Sequence, residues 1–308
     1  MQESLNKDIQ WLAGIFDSEG CVASYPVSLL RVVIINCDKR MMIEASRIVE
    51  RQGIRHRIVK KPSKNTKWKD KYHLDVTGFS ECHKLLTSLL PFLSCKKERA
   101  QLGIQIAENR LSYPNHRVVP VHSKVFEWSA KIRELNSRGV QNPQRLYVRQ
   151  DENLKIQSEL HGDMQSVAEM TTPSLDWLGG FIDGDGCIGA YESRKSWHPK
   201  IGIANVDSIA IQSVVNVLRY YQLPFYVESR PMKEGSNRRA SYVVVLMGYK
   251  RCQKLLPLLK DKVRIKSRQR DLLEHLVNSR LSKTKGSPFT DFENWVCSEL
   301  RTLNTKGK

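Results

Sequence analysis

The stretch WLGGFIDGDGCI, residues 177–188, is apolar and helix-like, yet it carries glycines where large side chains should fill a core. It stops on two aspartates separated by one glycine. Half of its explanation lies upstream, where WLAGIFDSEGCV, residues 11–22, repeats it almost position for position. Trp11-Leu12 matches Trp177-Leu178, Gly14 matches Gly180 and Asp17 matches Asp183. Glu19 matches Asp185, and Gly20-Cys21 matches Gly186-Cys187. The pairing continues along the chain. IINCD at 34–38 echoes IANVD at 203–207, GFSECHKLL at 78–86 echoes GYKRCQKLL at 248–256, and PFLSCK at 91–96 echoes PLLKDK at 257–262. Near the end of each half, IRELNSRG at 132–139 is similar to LRTLNTKG at 300–307. The offsets drift between 166 and 170 residues, which is what loop insertions between matched elements of a duplicated unit produce. The chain therefore reads as two repeats, 1–139 and 171–308, joined by a polar linker over 140–170 that is longer than most connections in compact domains.

Composition narrows the class. The 308 residues suffice for two compact domains, and 40% hydrophobic with 27% charged residues is ordinary for a soluble globular protein. No apolar run approaches the length needed to span a bilayer, so no membrane partner is expected. The N-terminus lacks the basic and apolar regions of a secretory signal, and an intracellular protein, or one imported by a signal already removed, is expected. Fifty Lys and Arg against 32 acids leave a net charge of +18, a surplus that favours a polyanionic partner, nucleic acid first. The seven cysteines form no CxxC pair and no zinc-like Cys/His cluster; they read as reduced.

Within each half the pattern is the same. A helix opens near Asn6 or at Thr172-Pro173 and ends at the DSEG or DGDG turn, where glycine would take a left-handed conformation. β-branched runs follow, LLRVVIIN and YHLDVTG in the first half, KIGIANV and SYVVVLMG in the second. Helical spacing lies between them, and each half closes with helices. The expected class is α+β: two pseudo-symmetric αββαββα repeats with antiparallel sheets.

The small residues Ala13, Gly14, Gly179 and Gly180 are expected to let the two motif helices approach closely, forming a central two-helix interface. Their ends would then bring Glu19 and Asp185 together. Two adjacent carboxylates repel unless a cation lies between them, and magnesium takes few carboxylates while keeping ligand positions for water and phosphate. The pattern points to metal-dependent phosphodiester chemistry.

LAGIFDSEG and LGGFIDGDG resemble the two signature motifs of LAGLIDADG homing endonucleases, in the single-chain, two-repeat form, and the resemblance in organisation covers nearly the whole chain. It implies a monomer whose two antiparallel sheets enter successive major grooves of double-stranded DNA, covering about twenty base pairs, two turns of duplex. It implies cleavage of both strands across the minor groove, leaving 3′ overhangs. Glu19 and Asp185 would bind two or three divalent ions, with the backbone carbonyls of Ser18 and Gly184 as further ligands. Magnesium is the expected ion; manganese should substitute, and calcium should bind without supporting efficient cleavage. Asp17 and Asp183 would be structural. The family's lysine near the scissile phosphate corresponds to Lys96 and Lys262, with Lys97 a competitor in the first half; phosphate contact alone is the plainer role. Asp38 and Asp207 match positions that order active-site water, and they serve equally well as N-caps. An intron-RNA maturase or a non-cleaving DNA-binding protein would share the scaffold, so intron RNA is a second candidate partner. Family members are commonly encoded in organellar introns, which makes a mitochondrion or other organelle an expected location.

The strands offer the reading surface. In the first half Arg31, Arg55, Arg57, Lys60, Lys61, Lys71, His73 and Asp75 are the candidates for DNA contact. In the second they are Arg194, Lys195, Lys200, Tyr226, Glu228, Arg230, Arg238 and Arg239. Arg55 and Arg57 are expected on a common face. Arginine suits the O6 and N7 edge of guanine and lysine mainly meets phosphates. Val243, Val245 and Met247 correspond to His73, Asp75 and Thr77, so the two halves should read different sequences and the target should be asymmetric.

Overall fold

The computed structural model describes residues 2–25, 29–65, 69–113, 122–137, 147–148, 174–193, 196–230 and 241–305. The chain divides into two compact units, Met1–Arg138 and Gly139–Lys308. The candidate contacts Arg194, Lys195, Arg238 and Arg239 lie outside the described residues, as does nearly all of the 140–170 stretch.

The first unit runs α1 (Gln2–Glu19), β1 (Gly20–Tyr25), β2 (Leu29–Asn36), α2 (Lys39–Arg51), β3 (Arg57–Lys61), β4 (Lys71–Thr77) and α3 (Phe79–Leu89). After a 3₁₀ turn, Leu90–Phe92, come α4 (Lys97–Leu111) and α5 (Ser123–Ser137). Its four strands form one antiparallel sheet in the order β1-β2-β4-β3. The second unit repeats this with α6 (Leu175–Asp185), β6 (Gly186–Ser193), β7 (Ser196–Asn205), α7 (Ser208–Tyr220), β8 (Tyr226–Arg230), β9 (Ser241–Met247) and α8 (Tyr249–Leu255). A 3₁₀ turn, Leu256–Leu259, leads to α9 (Ser267–Leu281) and α10 (Asp291–Asn304). The αββαββα order is present in both units, each extended by a closing helix pair. A short strand from the stretch read as linker, β5 (Tyr147–Val148), pairs with β8 and makes the second sheet five-stranded, β5-β8-β9-β7-β6. No helix among the described residues is long and apolar enough to cross a membrane.

Each sheet has a core face and an outer face, because alternate side chains of a strand point to opposite sides. In the first sheet Val22, Leu30, Val32, Ile34, Leu74 and Val76 are buried and in register across β1, β2 and β4. In the second, Ile188, Ile201, Ile203, Val244 and Leu246 do the same. The other parity forms the outer face: Arg31, Val33 and Ile35 beside Thr77, Asp75 and His73, then Arg57, Val59 and Lys61. Its second-unit counterpart carries Lys200, Gly202 and Ala204 beside Met247, Val245 and Val243, then Tyr226 and Glu228. Val243 and Val245 share that parity yet are buried, at 3% and 0% exposed, and Met247 is half-buried.

The helix ends differ from expectation in instructive ways. α1 begins at Gln2 rather than near Asn6. α6 begins at Leu175, and its N-cap is Ser174, whose Oγ accepts from the N–H groups of Asp176 and Trp177 at 3.0 and 3.4 Å. The glycine after the motif is not left-handed: Gly186 has φ −84° and ψ 161°, ordinary extended backbone. Its need is steric. A Cβ on Gly186 would lie 2.6 Å from the carbonyl oxygen of Ile182, and one on Gly20 would lie 2.2 Å from the Phe16 ring. The chain passes from helix into strand without a loop, and only a residue lacking Cβ clears the last helical turn.

Gly179 is likewise claimed within its own unit. A Cβ there would lie 2.2 Å from the carbonyl oxygen of Lys262, so this position serves the approach of the loop that carries Lys262.

Candidate active-site groups at the motif ends

Each motif helix delivers two acids, two residues apart, and each goes to a different place. The first acid turns inward. Asp17 is buried and its carboxylate accepts from the backbone N–H groups of Ser94 and Lys96 at 2.8 and 2.9 Å. Asp183, also buried, accepts from the N–H groups of Arg264 and Lys266 at 2.7 and 2.9 Å and from Ile265 at 3.2 Å. These donors sit just before and at the N-caps of α4 and α9, where helical N–H groups lack intrahelical acceptors. Each aspartate thus caps a helix from across the unit, and its negative charge suits the positive helix end. This is the structural role the resemblance implies for the pair.

The second acid sits half-buried at the last helical residue. Asn36, the final residue of β2, donates from Nδ2 to Glu19 Oε1 at 2.7 Å. Asn205, the final residue of β7, donates from Nδ2 to Asp185 Oδ2 at 2.6 Å. Each asparagine is held in turn, because its Oδ1 accepts from the N–H of Asp38 at 2.8 Å or of Asp207 at 2.7 Å. The repeated Asn-x-Asp is therefore a small relay in which the asparagine orients the acid. Sequence reading singled out the aspartates and passed over the asparagines, although both are in the quoted repeat.

Asp38 and Asp207 are N-caps. Asp38 accepts from the N–H of Arg40 at 2.9 Å, and Asp207 from those of Ile209 and Ala210 at 2.9 and 3.4 Å. Burial works to raise the pKa of Asp38, but hydrogen bonds and charge from Arg40 outweigh it and hold the carboxyl below its usual range.

The lysines need one correction. Lys96 Nζ donates to the carbonyl of Phe16 at 2.8 Å, at the end of α1, while its neighbour Lys97 is exposed on the first turn of α4. In the second unit the residue in that position is Lys266, not Lys262. Lys266 Nζ donates to the carbonyls of Ile182, Asp183 and Gly186 at 2.8, 2.8 and 2.7 Å, and lies 3.4 Å from that of Gly184. Lys266 is also the N-cap of α9, as Lys96 is of α4. Lys262 instead forms an ion pair with Asp176, 2.9 Å from both carboxylate oxygens. The physical reason is that the offset of 170 runs unbroken from Gly78 and Gly248 through Leu86 and Leu256 to Lys96 and Lys266, so Pro91 and Pro257, 166 apart, are not equivalent positions.

Among the described residues no three His, Cys, Asp or Glu side chains gather to form a metal cage. What each unit offers is one oriented carboxylate with backbone carbonyls nearby, an all-oxygen donor set of few protein ligands. That fits magnesium, which dehydrates reluctantly and completes its octahedron with water and phosphate, better than a calcium or zinc centre.

On the outer sheet faces the structure sorts the candidate DNA contacts. Arg31, Arg57, Lys61, Lys71, His73 and Asp75 share the outer face of the first sheet. Lys60 does not: alternation puts it opposite, with Ile58 and Tyr72, and it pairs with Asp70 at 2.8 Å. Arg55 also departs from the face of Arg57. It lies before β3, its N–H donates to Glu81 at the start of α3 at 2.8 Å, and its Nε is 3.7 Å from the same carboxylate. In the second sheet Lys200, Tyr226, Glu228 and Arg230 share the outer parity.

Comparison with known proteins follows the same two-unit division. Residues 6–89 match the model of a LAGLIDADG-like domain. Three solved structures align over nearly the full length. The LAGLIDADG homing endonuclease I-GzeII in complex with its DNA target is 15% identical, with TM-score 0.66, covering 97% of this chain and 99% of that one. I-SmaMI bound to cleaved DNA is 13% identical, with TM-score 0.65 and 97% of each chain covered. The meganuclease I-AabMI bound to uncleaved DNA is 14% identical, with TM-score 0.60, covering 96% and 97%. None of the curated proteins compared with the chain matches it.

Proposed function

We propose that this chain, which carries a LAGLIDADG-like domain and has the two-domain LAGLIDADG homing-endonuclease fold, is a site-specific double-strand DNA endonuclease. The observation that carries the reading is the duplicated relay: motif acid, strand-end asparagine and helix-capping aspartate recur in both units at 2.6–2.8 Å. A fold used only for binding needs no such relay at both helix ends. Retention of both acids favours catalysis over a degenerate splicing factor.

In this reading Glu19 and Asp185, with the carbonyls of Ser18 and Gly184, hold divalent magnesium. When bound, the ion polarises a phosphate oxygen and lowers the pKa of coordinated water. Asn36 and Asn205 keep the carboxylates oriented, which matters because a misplaced ligand weakens metal affinity and activity together. Lys96 and Lys266 place an ammonium at each motif helix end. There it first satisfies carbonyls, then faces the charge that builds on a phosphorane-like transition state. The outer sheet faces bind the duplex, and the chain acts as a monomer because it already contains both repeats. A net charge of +18 supplies the attraction for phosphate.

The test is cleavage of a randomised duplex library with magnesium and with calcium, sequencing the cut ends. Enrichment of one asymmetric site of about twenty base pairs, two turns of duplex, is expected with magnesium, leaving 3′ overhangs. Glu19→Gln and Asp185→Asn should each abolish the cut while leaving binding in calcium intact. Selective binding without scission in either metal would replace the nuclease reading with a regulator or an intron-RNA maturase.

A further inference from the structure

On the outer face of the first sheet, one carboxylate lies between two guanidinium groups. Asp75 is only 3% exposed. Its Oδ1 accepts from Arg31 Nε and Nη2 at 3.1 and 2.5 Å, and its Oδ2 lies 3.7 Å from Arg57 Nε. Arg31 comes from β2 and Arg57 from β3, on either side of β4, so the acid ties the two neighbouring strands through their side chains.

The fold does not require this cluster. The second unit has Val245 where the first has Asp75, flanked in register by Gly202 and Tyr226 where the first has Val33 and Arg57. Val245 is fully buried, so an apolar residue fills the position well. Burying a carboxylate is costly, and replacing such ion clusters by apolar residues is often neutral or stabilising. The exposure is also uneven in a telling direction: Arg31 and Arg57 are 32% and 70% exposed over an acid that is 3% exposed. The cluster keeps a net positive charge and presents it outward.

We propose that Asp75 is a positioning residue that pre-aims Arg31 and Arg57 as a pair of guanine readers, so that one half of the target carries guanines at the two positions these arginines reach. The inference rests on the chain binding DNA through its sheets. A guanidinium has five N–H donors, and Asp75 takes two of those on Arg31, leaving donors for the O6 and N7 acceptors of guanine. An arginine held by a carboxylate enters the groove with its rotamer already chosen, so less side-chain entropy is lost on binding. Asp75 itself acts through the arginines and does not touch the bases, which departs from its expected place among direct contacts.

The experiment is selection of randomised duplexes bound in calcium, for the wild-type chain and for Asp75→Asn, Asp75→Val, Arg31→Ala and Arg57→Ala. Circular dichroism melts are recorded for each. The wild type should select guanine at two positions within one half-site. Each arginine variant should lose preference at one of them. Both Asp75 variants should lower preference at the two positions together, roughly tenfold, within the range of a good bidentate pair, while other positions keep theirs. Unchanged guanine preference in both Asp75 variants would overturn the inference, as would a uniform loss at all positions or a selected half-site without guanine. If the wild type selects no sequence, the DNA-endonuclease reading falls with it. If the wild type selects and the Asp75 variants match it, only the inference falls.

Discussion

Lys262 and Lys266 are four residues apart, and which of them approaches the motif helix separates a catalytic assignment from a structural one. Lys266 touches three carbonyls at the end of α6, whereas Lys262 is paired with Asp176 at the other end of that helix. Lys266→Met should therefore slow single-turnover cleavage by about a hundredfold or more, the scale of losing one preorganised charge-stabilising donor. Lys262→Met should leave the rate within a few-fold and act mainly on thermal stability. A second residue-scale outcome concerns acid. Glu293 is fully buried in the corner of α9 and α10; burial works to raise its pKa. Hydrogen bonds from Lys283, the Thr290 N–H and Ser279, with the charge of Arg280, more than offset that and hold it at about 2, down from 4.5. A depressed carboxyl contributes stability that is fully present above the unfolded value and lost as pH falls toward the folded one. Melting temperature should thus drop between pH 4.5 and about 2, and Glu293→Gln should be less stable at neutral pH with a shallower acid dependence.

At the scale of elements, the motif helix is built to be approached. Ala13 and Gly179 occupy matched positions, and the Gly179 backbone meets the Lys262 carbonyl closely enough that a Cβ would lie 2.2 Å away. The first unit carries alanine there; in the second the Lys262 carbonyl takes the space that a Cβ would need. Gly179→Ala should destabilise the protein by about 1–3 kcal/mol, the usual cost of overpacking, as read by urea unfolding. The same elements explain the paired capping. Asp17 and Asp183 leave the motif helix to satisfy the start of the helix that carries the lysine, so the acid and the ammonium of each unit are fixed to one another through two helix ends. The closing helices are tied in a repeated way too: Asn136 donates to the Val22 carbonyl at 2.9 Å, and Asn304 to that of Ile188 at 2.8 Å.

For the molecule as a whole, duplication with divergence is the governing fact. The relays at the motif ends are nearly identical in the two units, and the sheet faces are not. The first sheet shows Arg31, Asp75 and Arg57 where the second shows Lys200, Val245 and Tyr226. The proposed endonuclease function accounts for this: groups that would act on two like strands are kept in both copies, while surfaces that would read different half-sites have diverged. Affinity for DNA should also carry the charge of the chain. With a net +18, binding to the selected site should weaken by about a thousandfold between 50 and 200 mM salt. A filter-binding series would show this, and a flat response would argue against phosphate contacts as the source of affinity.

The matched acids, the two-repeat organisation and the αββαββα order were all legible in the sequence, because the repeat supplies its own internal comparison and glycine with paired acid is a dense local signal. The asparagines were legible as repeated letters but not as ligand-orienting groups, since their partners are 17 and 20 residues away. Other assignments had no local signal at all. Pro257 lies four residues out of step with Pro91, and matching the two prolines picks the wrong lysine. Lys60 and Lys61 are indistinguishable until the strand bounds place them on opposite faces. The glycines after each motif answer a local need, a ring and a carbonyl four residues back in the same helix, rather than a backbone angle. Sequence alone determined the duplicated plan and its matched acids; tertiary structure decided which side chains meet and which face the same way, because facing depends on register, and register is set by contacts distant in the chain.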